Sequence, residues 1–413
     1  VLEGTGLLVA VVHFMLLAFL IRSFARLLTN SAHLFFAEMQ FESLLVYFKC
    51  EGTFTESKIS TGMSIHDSTR SENTVVRSSI TPWVIVSRLT TSIFAATGIT
   101  KGDLVERVAV DGRMATFQKR AGSINNFYLF PRPTPTDNQP VVRMNRDTMY
   151  GGGTIDTAGG ASITIPEIPD NRYFSVMIID NDHYTVDVLT EPGTHIIPEG
   201  TTKYVFAVPR VQIYDIHDEA EIAKVLGLLK QFSIKAQSAD PISPNWDWES
   251  MFTLRGQYEK EFVKFKQYPA DWQETKASGK VNEKTRHLAV AGAWGLFPEW
   301  ESAYINYNGG EASDQCYTAT YNVPENNAFW SITVYGKDAF MKSDNVTLTP
   351  SSTVFNDDGT FTAYYGSEQV CGNQTNRLDI TEGWNYLMRI YRPEESVLNR
   401  EYKLPAVSPF KPE

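Results

Sequence analysis

The chain has 413 residues, too many for one ordinary domain and about right for two or three. Its 37 Lys and Arg against 48 Asp and Glu leave a formal net charge of −11, which excludes a basic nucleic-acid binder and opposes attraction to anionic lipid. With 42% hydrophobic, 12% aromatic and 21% charged residues, the composition is that of a packed globular protein, not a disordered one.

The first strong signal in chain order is Leu7 to Ile21, LLVAVVHFMLLAFLI, broken only by His13 and followed by Arg22 and Arg26. This apolar N-terminal helix is shorter than the roughly twenty residues of a bilayer span. No basic residue precedes it and no small-x-small cleavage site follows, so a cleaved signal peptide fits poorly. It reads as an anchor or signal-anchor, as a helix buried against the protein or a partner, or as an extension ahead of a start at Met63. Residues 1–50 are therefore set apart as an arm with membrane contact as one role. Residues 51–79, rich in Ser, Thr, Glu and Gly, form a linker.

Residues 80–214 form an N-terminal β domain with leading short helices around VIVSRL, IFAATGI and KGDLVERVAV, with a cap at Thr100 to Asp103. From Pro140 to Ile213 the period is two, in ASITI, YFSVMII, YTVDVL and KYVFAV, between Gly, Pro, Asn and Asp turns. Residues 215–292 carry helix-spaced apolar positions in EAEIAKVLGLLKQFSI and SMFTLRGQYEKEFVKF, with Asp218 and Ser243 as N-cap regions. Residues 293–413 return to period two in CYTATYNV, AFWSITVY, FTAYYG and WNYLMRIYRP, a second β-sandwich. The fold class that follows is mainly β with a helical insert: two antiparallel β-sandwich domains joined by a helical segment.

Of three cysteines, Cys316 and Cys371 lie in the same region and either pair in an oxidising compartment or stay as two buried thiols. Asn345-Val346-Thr347 and Asn373-Gln374-Thr375 are glycosylation sequons if the chain is secreted. No nucleophile elbow, phosphate-binding loop, zinc-protease helix, Cys-x-x-Cys pair or dinucleotide fingerprint occurs, so no metal and no cofactor is expected. Gly151-Gly152-Gly153 reads as a bulge or a close strand contact.

Two polar clusters carry the chemistry that remains. In Arg143-Met144-Asn145-Arg146-Asp147-Thr148-Met149-Tyr150, strand alternation puts Arg143, Asn145 and Asp147 on one face and Arg146, Thr148 and Tyr150 on the other. Paired arginines with Asn and Tyr bind a carboxylate, phosphate or sugar, or else an Arg–Asp network closes a turn. In Asp180-Asn181-Asp182-His183-Tyr184, two carboxylates that project together and an imidazole suit acid–base or metal chemistry, or a polar hairpin turn. In Gly383 to Pro393, Trp384, Tyr386, Met388 and Ile390 share one face and Asn385, Arg389 and Tyr391 the other, a ligand-binding strand or sandwich core.

These stretches resemble a known two-module family. VVRMNRDTMYGGGTID and DNRYFSVMIIDNDHYTVDV resemble the domain-of-unknown-function family 1254, and AWGLFPEWESAYIN, AFWSITVYGKDAFM, FNDDGTFTAYYG and GWNYLMRIYRPEESVLNREYKLPAV resemble its usual partner, family 1214. The match spans about Gly122 to Val407. It implies two β-sandwich or jelly-roll-like domains joined by a helical segment and no established activity. Hydrolase labels in the family are opposed by the missing nucleophile elbow. The matching polar positions are Arg143, Asn145, Arg146, Asp147, Tyr150, Asp182, His183, Trp384, Asn385, Arg389 and Tyr391. The arm before Glu51 departs from the family pattern.

Two functions are expected. The first is a structural or ligand-binding component of a surface or larger assembly, extracytoplasmic or membrane-associated, with protein partners or a homo-oligomer. The alternative is a hydrolase or lyase acting on a small polar or sugar-like substrate through Asp180, Asp182 and His183 together with the Arg143–Tyr150 cluster. The second requires these clusters to converge in one pocket.

Overall fold

The computed structural model describes residues 101–413 apart from 140–141, 200, 263, 266–267, 310–311 and 412–413. The apolar N-terminal helix and the linker lie outside the described residues. Among the described residues no helix is long and apolar enough to cross a membrane.

The first described element is a helix, α1 (Lys101–Ala121), over the KGDLVERVAV run, while the short helices expected around VIVSRL and IFAATGI lie outside the described residues. It presents Val110, Met114 and Phe117 to Phe206 and Ile242. The N-terminal module then builds β1 (Phe127–Leu129), β2 (Thr148–Asp156), β3 (Ala161–Ile165), β4 (Phe174–Asp180), β5 (Thr185–Leu189), β6 (Gly193–Ile196) and β7 (Tyr204–Gln212). A five-stranded antiparallel sheet runs β1-β2-β7-β4-β5. Alternation sends Met149, Val176, Ile178 and Val211 to a core shared with β3 and with α2 (Glu219–Leu229). Asp218 caps α2 by accepting from the Ala220 N–H. The span expected to be helical also supplies β8 (Ser233–Ala236), which completes a three-stranded sheet, β6-β3-β8.

Next come α3 (Trp248–Phe262) and α4 (Arg286–Gly292), packed around Trp272 and Phe262. The Ser250 N–H near the start of α3 bonds Asp247, not Ser243. The C-terminal module contributes β9 (Ser302–Tyr307), β10 (Cys316–Tyr321), β11 (Trp330–Tyr335), β12 (Thr347–Leu348), β13 (Phe361–Tyr365), α5 (Glu368–Cys371), β14 (Arg377–Leu378), β15 (Asn385–Tyr391), α6 (Glu395–Leu398) and β16 (Ser408–Phe410). Two four-stranded sheets, β12-β11-β15-β9 and β14-β13-β10-β16, enclose a core of stacked aromatics including Trp330, Phe361, Tyr365, Trp384 and Tyr386. The strands are antiparallel except for the β13–β14 pair. The fold is thus mainly β with two sheet-rich domains.

The two modules belong to one compact unit. Tyr173, Met177, Ile179 and Val188 of the first pack on Phe297, Phe329 and Tyr391 of the second. Every residue of β15 is buried, polar face included.

Candidate functional site

The polar faces of the two central sheets meet. Tyr150 lies directly opposite Arg210, and Arg210 opposite Ser175, so all three share the face of the five-stranded sheet that is not occupied by the N-terminal core. In the C-terminal module, Ser331, Arg389 and Tyr304 lie opposite one another in the same way.

Hydrogen bonds tie the two faces together. Tyr391 donates to the Asp147 carboxylate at 3.2 and 3.3 Å and accepts from Asn145 Nδ2 at 3.0 Å. Tyr150 donates to Asn145 Oδ1, and Ser331 donates to Asp147. Arg389 donates to the Arg143 carbonyl at 2.6 Å and to Tyr335 at 2.9 Å, while Tyr335 donates to the Met144 carbonyl at 2.8 Å. Tyr173 donates to Glu301 at 2.6 Å.

The charges in this layer do not cancel. Arg389 and Arg210 act on Asp147, and Arg392 and Arg210 on Glu301, so three guanidiniums face two carboxyls, and of these pairs only Glu301 with Arg392 makes a direct ion pair, at 3.9 Å. Burial raises the pKa of both carboxyls, against the pull of Arg389 on Asp147 and of the Tyr173 hydrogen bond on Glu301. The excess of guanidinium is therefore deepened, not relieved. Arg210 is 8% exposed, sits between the rings of Phe297 at 4.1 Å and Tyr150 at 5.0 Å, and its Nε has no hydrogen-bond partner. Burial works against its charge, but the phenol oxygens of Tyr150, Tyr391, Tyr173 and Tyr304 raise its pKa. Arg143 lies over Tyr335 at 5.6 Å, and its Nη1 is also buried without a partner.

The alternation expected for 143–150 does not hold. The strand begins only at Thr148, and Arg143 adopts φ 55°, so the preceding residues form a turn gripped by Arg389 and Tyr335. Asn145, Asp147 and Tyr150 come together in the layer, whereas Arg146 turns the other way and pairs with Asp344 at 2.8 Å. There it lines a cleft of ≈ 450 Å³ between the modules, walled by residues 213–217 on one side and by parts of 344–352 and 368–377 on the other.

Asp180, Asp182 and His183 occupy the β4–β5 hairpin. Asp180 accepts from the N–H groups of Asp182 and Tyr184, which closes the turn. Asp182 does not project with it, but pairs with Arg107 at 3.2 Å. His183 stands at φ 62°, edge-on to Trp294, and burial followed by repulsion from Arg286 lowers its pKa to about 3. It accepts from the Gly295 N–H, and its Nδ1 has no partner. The stretch from Trp294 to Phe297 separates this hairpin from the arginine–tyrosine layer: Trp294 touches His183 and Phe297 touches Arg210. Among the described residues no three His, Cys, Asp or Glu side chains are grouped to hold a metal.

Trp384 is core, and Asn385 donates to the Gly336 carbonyl, so neither joins the layer. Asn345 and Asn373 are exposed on the cleft, and Cys316 and Cys371 form a disulfide. The residues that sequence reasoning missed are Arg210, Tyr173, Glu301, Tyr304 and Tyr335. Arg210 left a signal, a lone charge within the apolar run of β7. The others carry no local mark, because their role depends on the opposite module.

Residues 124–235 match the family "Protein of unknown function (DUF1254)" and residues 306–395 match "Protein of unknown function (DUF1214)". Among solved structures, the VPA0106 protein from Vibrio parahaemolyticus is similar at 16% identity and a TM-score of 0.55, over 75% of this chain and 98% of that one, and so shares the fold. An uncharacterized protein from Burkholderia cenocepacia aligns at 10% identity and a TM-score of 0.45, over 79% of this chain and 96% of that one. The curated proteins give no match. The chain thus carries two family-model matches in order, DUF1254 over residues 124–235 and DUF1214 over residues 306–395, the arrangement of a two-module protein.

Proposed function

We propose that this is a ligand-binding protein whose site is the arginine–tyrosine layer between the modules, and that its ligand is a small carboxylate. The cationic excess carries the reading: three guanidiniums face two carboxylates that are themselves pushed toward the neutral form, inside a chain of net charge −11. Buried guanidinium without a counter-charge is costly, and a planar bidentate anion is the partner that its geometry fits. Tyr150, Arg143 and Tyr304 are half-buried, which gives the layer an edge on solvent. The Tyr304 hydroxyl, which accepts from the Phe297 N–H, has its own proton to give to a carboxylate oxygen.

Isothermal calorimetry and thermal shift with acetate, succinate, benzoate and phosphate test this. A carboxylate is expected to bind the wild type and to lose at least tenfold in affinity with Arg210→Met, the effect of about 1.5–3 kcal/mol for a charged hydrogen bond. Absence of binding by every carboxylate, or equal binding by the variant, refutes the assignment. The alternative of a hydrolase or lyase has less support, since His183 lies in the hairpin with a pKa of about 3, away from the layer. The Cys316–Cys371 disulfide and two exposed sequon asparagines support an extracytoplasmic setting, which a mobility shift on deglycosylation of the natively produced protein checks.

A further inference from the structure

The cleft beside Arg146 differs in chemistry from the arginine–tyrosine layer. Its ≈ 450 Å³ falls in the range of about 300–1,000 Å³ usual for small-molecule sites. Its two arginines are already neutralised, Arg146 by Asp344 at 2.8 Å and Arg377 by Asp379. The charges left on the walls, Asp215 and Glu368, are acidic, so an anion is disfavoured. What remains to recognise a ligand is amide and hydroxyl: Thr347, Asn373 and Gln374 line the cleft from the C-terminal module, together with Asn345, whose Nδ2 donates to the Arg377 carbonyl and leaves its Oδ1 to accept. Thr347 Oγ1 is buried with no hydrogen-bond partner, and so is Nε of Arg146, a residue only 7% exposed. Such unpaired buried groups are uncommon and call for a partner.

We propose that this cleft is a second ligand site and that it takes an uncharged polyhydroxylated molecule, a saccharide. Each sugar hydroxyl donates and accepts, which matches an amide and hydroxyl wall with no net positive charge to offer. Residues 213–217 and the C-terminal wall belong to different modules, so a bound saccharide bridges them. The saccharide has two sources, a free ligand or a glycan attached to the chain itself, because both sequon asparagines, Asn345 and Asn373, line the same cleft.

The test uses the full chain made without N-glycans in a bacterial host, and the same chain glycosylated in a eukaryotic host. Saturation-transfer NMR and calorimetry with glucose, mannose, N-acetylglucosamine and maltose are expected to show binding to the unglycosylated chain with a Kd on the order of millimolar. Thr347→Val, which keeps the shape of a strand residue and removes only the hydroxyl, is expected to weaken it roughly fivefold to tenfold. Gln374→Ala, on the surface of the cleft, supplies a second loss should Thr347→Val unfold. Equal binding by both preparations assigns the site to a free saccharide, and loss of binding on glycosylation assigns it to the chain's own glycan. No binding of any sugar to the unglycosylated chain, or full binding by both variants, overturns the proposal.

Discussion

Tyr391 shows how much one hydroxyl can hold in this protein. It donates to Asp147 and accepts from Asn145, in a place where all three side chains are buried. Tyr391→Phe keeps the ring stacked on Phe329 but strips a partner from a carboxylate and an amide. Leaving such groups unpaired costs about 1–3 kcal/mol, which urea unfolding of the variant measures. His183 makes a different statement, about pH. Its folded pKa is lowered to about 3 against an ordinary value of 6.5, so the unfolded chain takes up a proton on acidification before the folded one does. The sign is therefore a loss of stability as pH falls from about 6.5 toward about 3, with no penalty above that window. Buried acids such as Asp147 and Glu301, with raised pKa, work in the opposite direction, so the total slope does not isolate the histidine. His183→Asn does: asparagine tolerates the φ of 62° and does not titrate. The midpoint of unfolding in the variant should fall less steeply with acid than in the wild type, and parallel curves would refute the assignment.

At the level of elements, the triple glycine in β2 is a packing device. A Cβ at Gly152 would stand 2.5 Å from the Phe117 ring and 2.7 Å from Phe206, so α1 can approach the sheet only because no side chain is there. Gly152→Ala is expected to cost about 1–3 kcal/mol by overpacking, read as a lower midpoint in chemical denaturation. The Cys316–Cys371 bridge closes a loop of sequence separation 55 between β10 and α5. In the chain-entropy account a loop of that length stabilises by about 4 kcal/mol, so the Cys316→Ala, Cys371→Ala double variant should unfold at markedly lower denaturant. The β4–β5 hairpin shows why a motif of chemistry-bearing residues can be structural. Asp180 spends its acceptor capacity on two turn N–H groups and Asp182 reaches for Arg107 on α1, leaving nothing to act together.

For the whole molecule, the decisive feature is that two sheet-rich modules share a core and a polar layer. Phe297 is buried in that shared core, against the face that carries Arg210. Phe297→Ala is expected to cost about 3–5 kcal/mol and to split one calorimetric transition into two, because it loosens the docking more than either module's interior. A single transition at an unchanged midpoint would mean that Phe297 does not hold the docking of the modules. A ligand held between them should act in the reverse sense, raising the midpoint with its concentration.

Much of this architecture is legible locally. Period-two runs mark the strands, Asp218 marks the start of α2, and Trp384, Tyr386, Met388 and Ile390 announce the core face of β15, because alternation and capping are properties of neighbouring residues. The fate of the other face is not local. Arg389 and Tyr391 read as one face of a ligand-binding strand or of sandwich core, and both are buried, since a second sheet distant in sequence covers them. The same distance hides the turn at 143–147, held by Arg389 and Tyr335, and the isolation of Arg210 among aromatic rings. The tertiary structure also decided between two buried thiols and a disulfide, because that depends on where α5 meets β10. Residue order determined which side chains could share a face; only the docking of one module on the other determined which of those faces would lose its water.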